Sequence, residues 1–81
     1  MLPAEREARV REIICRVLEL DDSELTLDGR FGDDYGADSL NAIEILIDIE
    51  TDLGVEIDRG VVERMVDLRS ILEILEAATA R

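Results

Sequence analysis

With 81 residues the chain is long enough for one small domain, read as a single unit over 1–81, and too short for an elaborate buried catalytic cleft. Trp is absent and Phe31 and Tyr35 are the only aromatic residues, so the core must come from Ile, Leu and Val; the lone Cys15 excludes an internal disulfide, and no histidine is available for a zinc site. The net charge of −12 is concentrated, because residues 19–58 hold fourteen acids against one base, Arg30, a field that repels nucleic acid and anionic membrane and steers toward basic protein surfaces.

Pro3 suits the first turn of a helix, and Val10, Ile13, Ile14, Val17 and Leu18 then recur at helical spacing. This predicts a first helix over about residues 4–19, with Cys15 off its apolar face as an incidental, partly exposed thiol. Glu5, Arg6 and Glu7 interrupt any signal-peptide core, and no apolar run is long enough to span a membrane. A cytoplasmic protein is the plain reading.

Residues 20–38 lack sustained periodicity. A loop of this length is often functional, and Leu25, Leu27 and Phe31 are expected to pin it to the helices, with a short helical turn of its own. Its acids do not fall at calcium-loop spacing, since acids at alternate positions, a central Gly and a twelfth-position Glu are missing. A second helix is predicted from Ser39 to about Leu53, capped by Asp38 and stopped by Gly54. Val55, Glu56 and Ile57 form an extended link. Asp58 then caps a short helix over Val61, Val62 and Met65, weakened by Gly60, and Asp67 caps a last helix with Leu68, Ile71, Leu72 and Leu75 on one face. The predicted fold is all-α: a small four-helix bundle of three main helices and one short one, with a long first loop.

The second helix has too wide an apolar arc for an ordinary surface helix. At about 100° per residue from Ser39, one cluster (Ala42, Ile45, Leu46, Ile49, Leu53) falls at roughly 240–340° and a separate one (Leu40, Ile43, Ile47) at roughly 40–100°. Either neighbours cover this helix on two sides, or the second cluster stays exposed beside Glu44 and Glu50 as a docking patch rimmed by acids. The position of Ser39 at the top of that patch favours docking. Its hydroxyl lies on the first turn of a helix, where free backbone N–H groups and the helix dipole favour an anion, so it is well placed to carry a phosphate ester.

Over nearly its whole length the chain resembles the acyl carrier proteins of fatty-acid and polyketide synthesis. The resemblance rests on the apolar first helix, Thr26 and Phe31 in the long loop, the Gly36-Ala37-Asp38-Ser39-Leu40 run with the following Glu44, the Leu53-Gly54-Val55-Glu56-Ile57 exit, and the Val62/Met65 helix. It implies that Ser39 carries a covalent 4′-phosphopantetheine arm, attached from coenzyme A by a magnesium-dependent phosphopantetheinyl transferase, whose thiol holds acyl groups as thioesters. Asp38 matches the acid beside the modified serine, a cap and transferase contact, with Leu40 beside the attachment site. Leu40, Ile43, Glu44, Ile47 and Glu50 match positions that meet partner enzymes: ketosynthase, acyltransferase and reductases with basic docking patches. Val62 and Met65 match the place where arm or acyl chain rests.

The resemblance further implies a monomer without nucleic-acid or membrane partners, and the span from Met1 reads as a free-standing carrier. Asn41 departs from the acid that many relatives carry, which removes one charge beside Ser39, and Tyr35 departs from an aliphatic residue, where it is expected to cap the apolar pins of the loop.

Two functions remain in play on sequence alone. One is the covalent carrier; the other is an acidic helical adaptor that binds basic partners and never uses Ser39. An enzyme is poorly supported, because the chain has no His, no Lys and no base to activate Ser39, Asp38 being committed to the cap.

Overall fold

A computed structural model describes residues 2–79, and among these it is all-helical. Helix α1 spans Pro3–Leu18, α2 Phe31–Tyr35, α3 Ser39–Leu53 and α4 Leu68–Thr79; 3₁₀ segments cover Asp22–Glu24 and Arg59–Arg64. The three main predicted helices are therefore present within about one residue of their expected ends, and the short fourth one is the 3₁₀ segment Arg59–Arg64. Gly60 and the β-branched Val61 and Val62 are poor α-helix formers, and a short 3₁₀ run is the compact alternative.

The core is aliphatic with one ring. Val10, Ile13 and Ile14 of α1 and Ile45, Leu46 and Ile49 of α3 are essentially inaccessible, and Leu68, Ile71 and Leu75 of α4 join them in one cluster with Leu25, Phe31, Ile57 and Met65. At about 1.5–3 kcal/mol for each fully buried side chain of this size, this cluster is the main source of stability. The ends of α3 follow the expected chemistry: Asp38 caps the start, and Gly54 takes the left-handed conformation (φ 65°) that stops the helix. Asp67 likewise caps α4, its Oδ1 accepting from Ser70 N at 2.8 Å while Ser70 Oγ accepts from Asp67 N at 3.1 Å.

The long first loop is more ordered than its lack of periodicity suggests, holding two short helical segments rather than one. Its order comes from hydrogen bonds that hydropathy does not register. Arg11 of α1 donates to the carbonyls of Asp22 and Leu25 at 2.9 and 2.8 Å. The Tyr35 hydroxyl donates to Glu24 O at 3.0 Å and accepts from Thr26 N at 3.1 Å, closing the loop on itself. Gly29 lies under that hydroxyl, where a Cβ would crowd the Tyr35 oxygen, so a larger residue there would push the Tyr35 side chain out of this arrangement. Arg69 of α4 grips Asp28 with two guanidinium bonds (2.6 and 3.1 Å), and its backbone N–H reaches Leu27 O at 3.1 Å. Finally Phe31 N donates to Val66 O at 2.9 Å, stitching the start of α2 to the segment before α4. Leu25 and Phe31 are buried and Leu27 half-buried beneath this network.

Candidate functional site

Ser39 is the first residue of α3 and is exposed. It owes that place to the turn before it. Gly36 ends α2 in the left-handed region (φ 69°), Ala37 N bonds back to Phe31 O at 2.8 Å, and Asp38 is extended. Asp38 Oδ1 accepts from Asn41 N at 2.9 Å while Asn41 Oδ1 accepts from Asp38 N at 3.1 Å. This reciprocal capping box gives the departure at Asn41 a physical role: an asparagine at the third helical position satisfies the backbone N–H of the cap residue without adding charge. The Asp38 carboxylate is thereby turned to the helix backbone, and the N–H groups of Ser39 and Leu40 remain without intrahelical partners.

Beside Ser39 lies a half-open cleft of about 370 Å³, within the range of small-molecule sites. The buried Phe31, Ile45 and Met65 form its floor, with Ala42 and half-buried Val62 along the side. Exposed Arg30, Asp33, Asp38 and Glu63 form its rim. Ser39, Val62 and Met65, expected at one site from the sequence, thus line one cleft supplied by α3 and the 3₁₀ region. Arg30 and Glu63 also line it without having been expected there; the only signal for Arg30 was its standing as the one base in the acidic stretch.

The other face of α3 carries Leu40, Ile43 and Ile47, which are 63, 40 and 44% exposed, with Glu44 exposed among them. The second apolar cluster of the helix is therefore uncovered by the described residues. Glu50, expected in the same group, is placed differently. Its side chain is only 18% exposed, and its carboxylate accepts from Ile57 N at 2.8 Å and pairs with Arg59 at 2.5 Å. The Ile57 N–H and then the Arg59 guanidinium hold its carboxyl below the usual carboxylate range. Glu50 ties the α3 exit to the 3₁₀ wall of the cleft, because its place one turn beyond Leu46 points it at the returning chain.

Cys15 is half-buried, and burial, followed by the nearby Asp22 carboxylate, pushes its thiol pKa up, which keeps it protonated and weakly nucleophilic. No cluster of potential metal ligands occurs among the described residues, and none of their helices is long and apolar enough to cross a membrane.

An exposed serine heading a capped helix, a lipophilic cleft beside it and an acidic surface around both define the class of small helical carrier domains. Comparison with known proteins carries this further. The phosphopantetheine attachment site family matches residues 8–77. The chain is 39% identical over 77 residues to polyketide-8 synthase acyl carrier protein 1 of Streptomyces avermitilis, covering 95% of this chain and 92% of that one. It is 33% identical over 72 residues to acyl carrier protein 2 of Pseudomonas aeruginosa, covering 89% and 91%. A chain in the solved structure titled "The ishigamide ketosynthase/chain length factor" superposes with a TM-score of 0.78 at 32% identity, covering 95% of this chain and 97% of that one. The chain belongs to the acyl carrier protein family, phosphopantetheine-dependent carriers of polyketide or fatty-acid synthesis that are not themselves enzymes.

Proposed function

We propose that Ser39 is the residue that holds the 4′-phosphopantetheine arm and that α3 presents it, through Leu40, Ile43, Glu44 and Ile47, to the enzymes that load and use it. The observation that carries this reading is the shared position of Ser39: exposed at the head of α3, yet on the lip of a cleft floored by Phe31, Ile45 and Met65. When attached, the arm supplies a terminal thiol that bonds acyl groups as thioesters.

The chain's own residues do the rest. Asp38 and Asn41 fix the first turn of α3, so the Ser39 hydroxyl is held outward, within reach of a transferase bringing coenzyme A and magnesium. Val62 and Met65 offer apolar contact to the arm or its acyl group. The exposed Leu40, Ile43 and Ile47 offer an apolar footprint, and the acids around it attract basic patches on ketosynthase, acyltransferase and reductase partners. Attraction of this kind is screened beyond about 8–10 Å at physiological salt, so docking is weak and salt-sensitive. The covalent tether compensates by holding the acyl group at high effective concentration near whichever enzyme is docked. A free, unpaired Cys15 suits a reducing cytoplasmic setting.

The test is the intact mass before and after incubation with coenzyme A, magnesium and a broad-specificity phosphopantetheinyl transferase. A gain of one phosphopantetheine, absent in Ser39→Ala of unchanged helical content, is the expected result. Modification retained in Ser39→Ala overturns the site. No gain with several transferases, in a folded sample of unmodified starting mass, moves the reading to a non-covalent acidic adaptor.

A further inference from the structure

Tyr35 closes α2, and among the described residues its hydroxyl is the one polar side-chain group of α2 that bonds to another element. It donates to Glu24 O at 3.0 Å and accepts from Thr26 N at 3.1 Å, in a space that Gly29 leaves open. The stretch it grips is itself anchored. Leu25, between those two residues, is buried, and its carbonyl accepts from Arg11 Nη2 at 2.8 Å. The same nitrogen reaches Asp22 O at 2.9 Å, and Arg11 Nε pairs with the Asp22 carboxylate at 3.1 Å. Arg11 follows Val10, a core residue of α1, which is the helix that packs on α3. A relay of hydrogen bonds therefore runs from α1 through the first loop to the end of α2.

Only Gly36, Ala37 and Asp38 separate Tyr35 from Ser39. Gly36 and Ala37 have no polar side chain, and Asp38 turns its carboxylate to Asn41 N inside α3. The backbone bonds of this turn, Gly36 N to Gly32 O at 3.2 Å and Ala37 N to Phe31 O at 2.8 Å, both return to α2. The turn is thus only as fixed as α2 itself. Phe31 pins the start of α2, being buried and bonded through its N–H to Val66 O; Tyr35 pins the end.

We propose that Tyr35 is a positioning residue for modification of the carrier: its hydroxyl holds the Gly36–Asp38 turn in the arrangement in which a phosphopantetheinyl transferase reaches Ser39. The inference rests on Ser39 being the attachment site and adds a residue that acts on it through the turn, from outside the α3 docking face. Its kinetic signature follows from population. A turn that is displaced part of the time presents a smaller competent fraction, which raises KM in proportion. Binding then selects the competent arrangement, so kcat is untouched.

The experiment measures modification of the full chain by a broad-specificity phosphopantetheinyl transferase with coenzyme A and magnesium, at a series of carrier concentrations. Wild type, Tyr35→Phe, Arg11→Met, their double variant and Ile74→Ala are compared at a temperature where each retains its full helical content. Ile74 is half-buried on α4 and takes no part in the relay, so its truncation controls for lost stability. Tyr35→Phe is expected to raise KM about fivefold at unchanged kcat, the scale of one modest hydrogen bond. Arg11→Met should raise KM by about twofold, and the double variant should be no worse than Tyr35→Phe, since both cut the same chain of bonds. Exchange of the Ala37 amide hydrogen should quicken in Tyr35→Phe and stay at the wild-type rate in Ile74→Ala. An unchanged KM in Tyr35→Phe overturns the proposal. So does an equal rise in Ile74→Ala, which would trace the effect to general stability, or a fall confined to kcat, which would place the hydroxyl at the chemical step. If Tyr35→Phe does not fold, Arg11→Met decides alone, and an unchanged KM there is equally fatal. A wild type that gains no phosphopantetheine, or gains it elsewhere than Ser39, removes the attachment site instead, independently of Tyr35.

Discussion

The two faces of α3 are built from the same kinds of residue and meet opposite fates. Ile45, Leu46 and Ile49 are essentially inaccessible, packed with Val10, Ile13 and Ile14 of α1 in the common core. Leu40, Ile43 and Ile47, on the same 15-residue helix, keep 40% or more of their surface in contact with solvent. Hydrophobicity therefore says which side chains would profit from burial, and the neighbouring elements decide which of them obtain it. In this molecule α1 covers one sector of α3, while the described residues leave the other sector open beside Ser39. A small domain that keeps large aliphatic residues exposed forgoes part of its stability, which is consistent with a surface reserved for partners.

The sharpest way to break the comparison is to truncate on each face in turn. Ile49→Ala should lower the unfolding free energy by about 2–5 kcal/mol, read from urea midpoints, since it removes a fully buried side chain from the core. A near-zero change would mean the inward face is not the load-carrying one. Glu50→Ala comes next, at about 1–3 kcal/mol, because it strands the part-buried Ile57 N–H and releases Arg59.

The pH dependence of that interaction has a fixed sign. The folded-state Glu50 carboxyl lies below its ordinary value, so its contribution is present above the usual carboxylate pKa of about 4.3 and lost as pH falls through the folded value. The stability gap between wild type and Glu50→Gln should therefore narrow on acidification below about pH 4.5; a gap that widens there would show that Glu50 does not act through its ionised form. Comparing two proteins at each pH also cancels the general relief of repulsion among the other acids.

The smallest effects on stability belong to the outward face. Ile47→Ala and Glu44→Arg should each change it by about 0.5 kcal/mol or less. Both should nevertheless weaken turnover by a partner synthase enzyme, and the Glu44 effect should shrink as salt is raised. If either variant loses stability and turnover together, the outward face is structural and the contrast between the two faces collapses.

The elements of the molecule differ in how legible they are in the sequence. The span of α3, its Asp38 cap and its Gly54 stop were legible because each depends on local chemistry: a short oxygen-bearing side chain for orphan N–H groups, and a residue without a Cβ at the turn. The last helix and its Asp67 cap were legible for the same reason. The order of the first loop was not, because it rests on Arg11, Tyr35 and Arg69, polar side chains reaching backbone 9 to 14 residues away or a carboxylate 41 residues away. Hydrophobic periodicity carries no record of such bonds. Glu50 shows the same limit at the site: wheel position set it near the docking residues, and only the returning chain at Ile57 and Arg59 drew its carboxylate inward.

By itself the sequence determined a small acidic all-α domain, its principal helices, the capped serine at the head of α3 and the two apolar clusters below it. Caps and amphipathic stripes act over one or two turns, so they are written in consecutive residues. The tertiary structure decided which cluster is buried, that Ser39 and Met65 share a cleft although 26 positions separate them in the chain, and that Arg30 stands on its rim. Those outcomes depend on how separate elements pack in space, and no local pattern specifies what an element will meet.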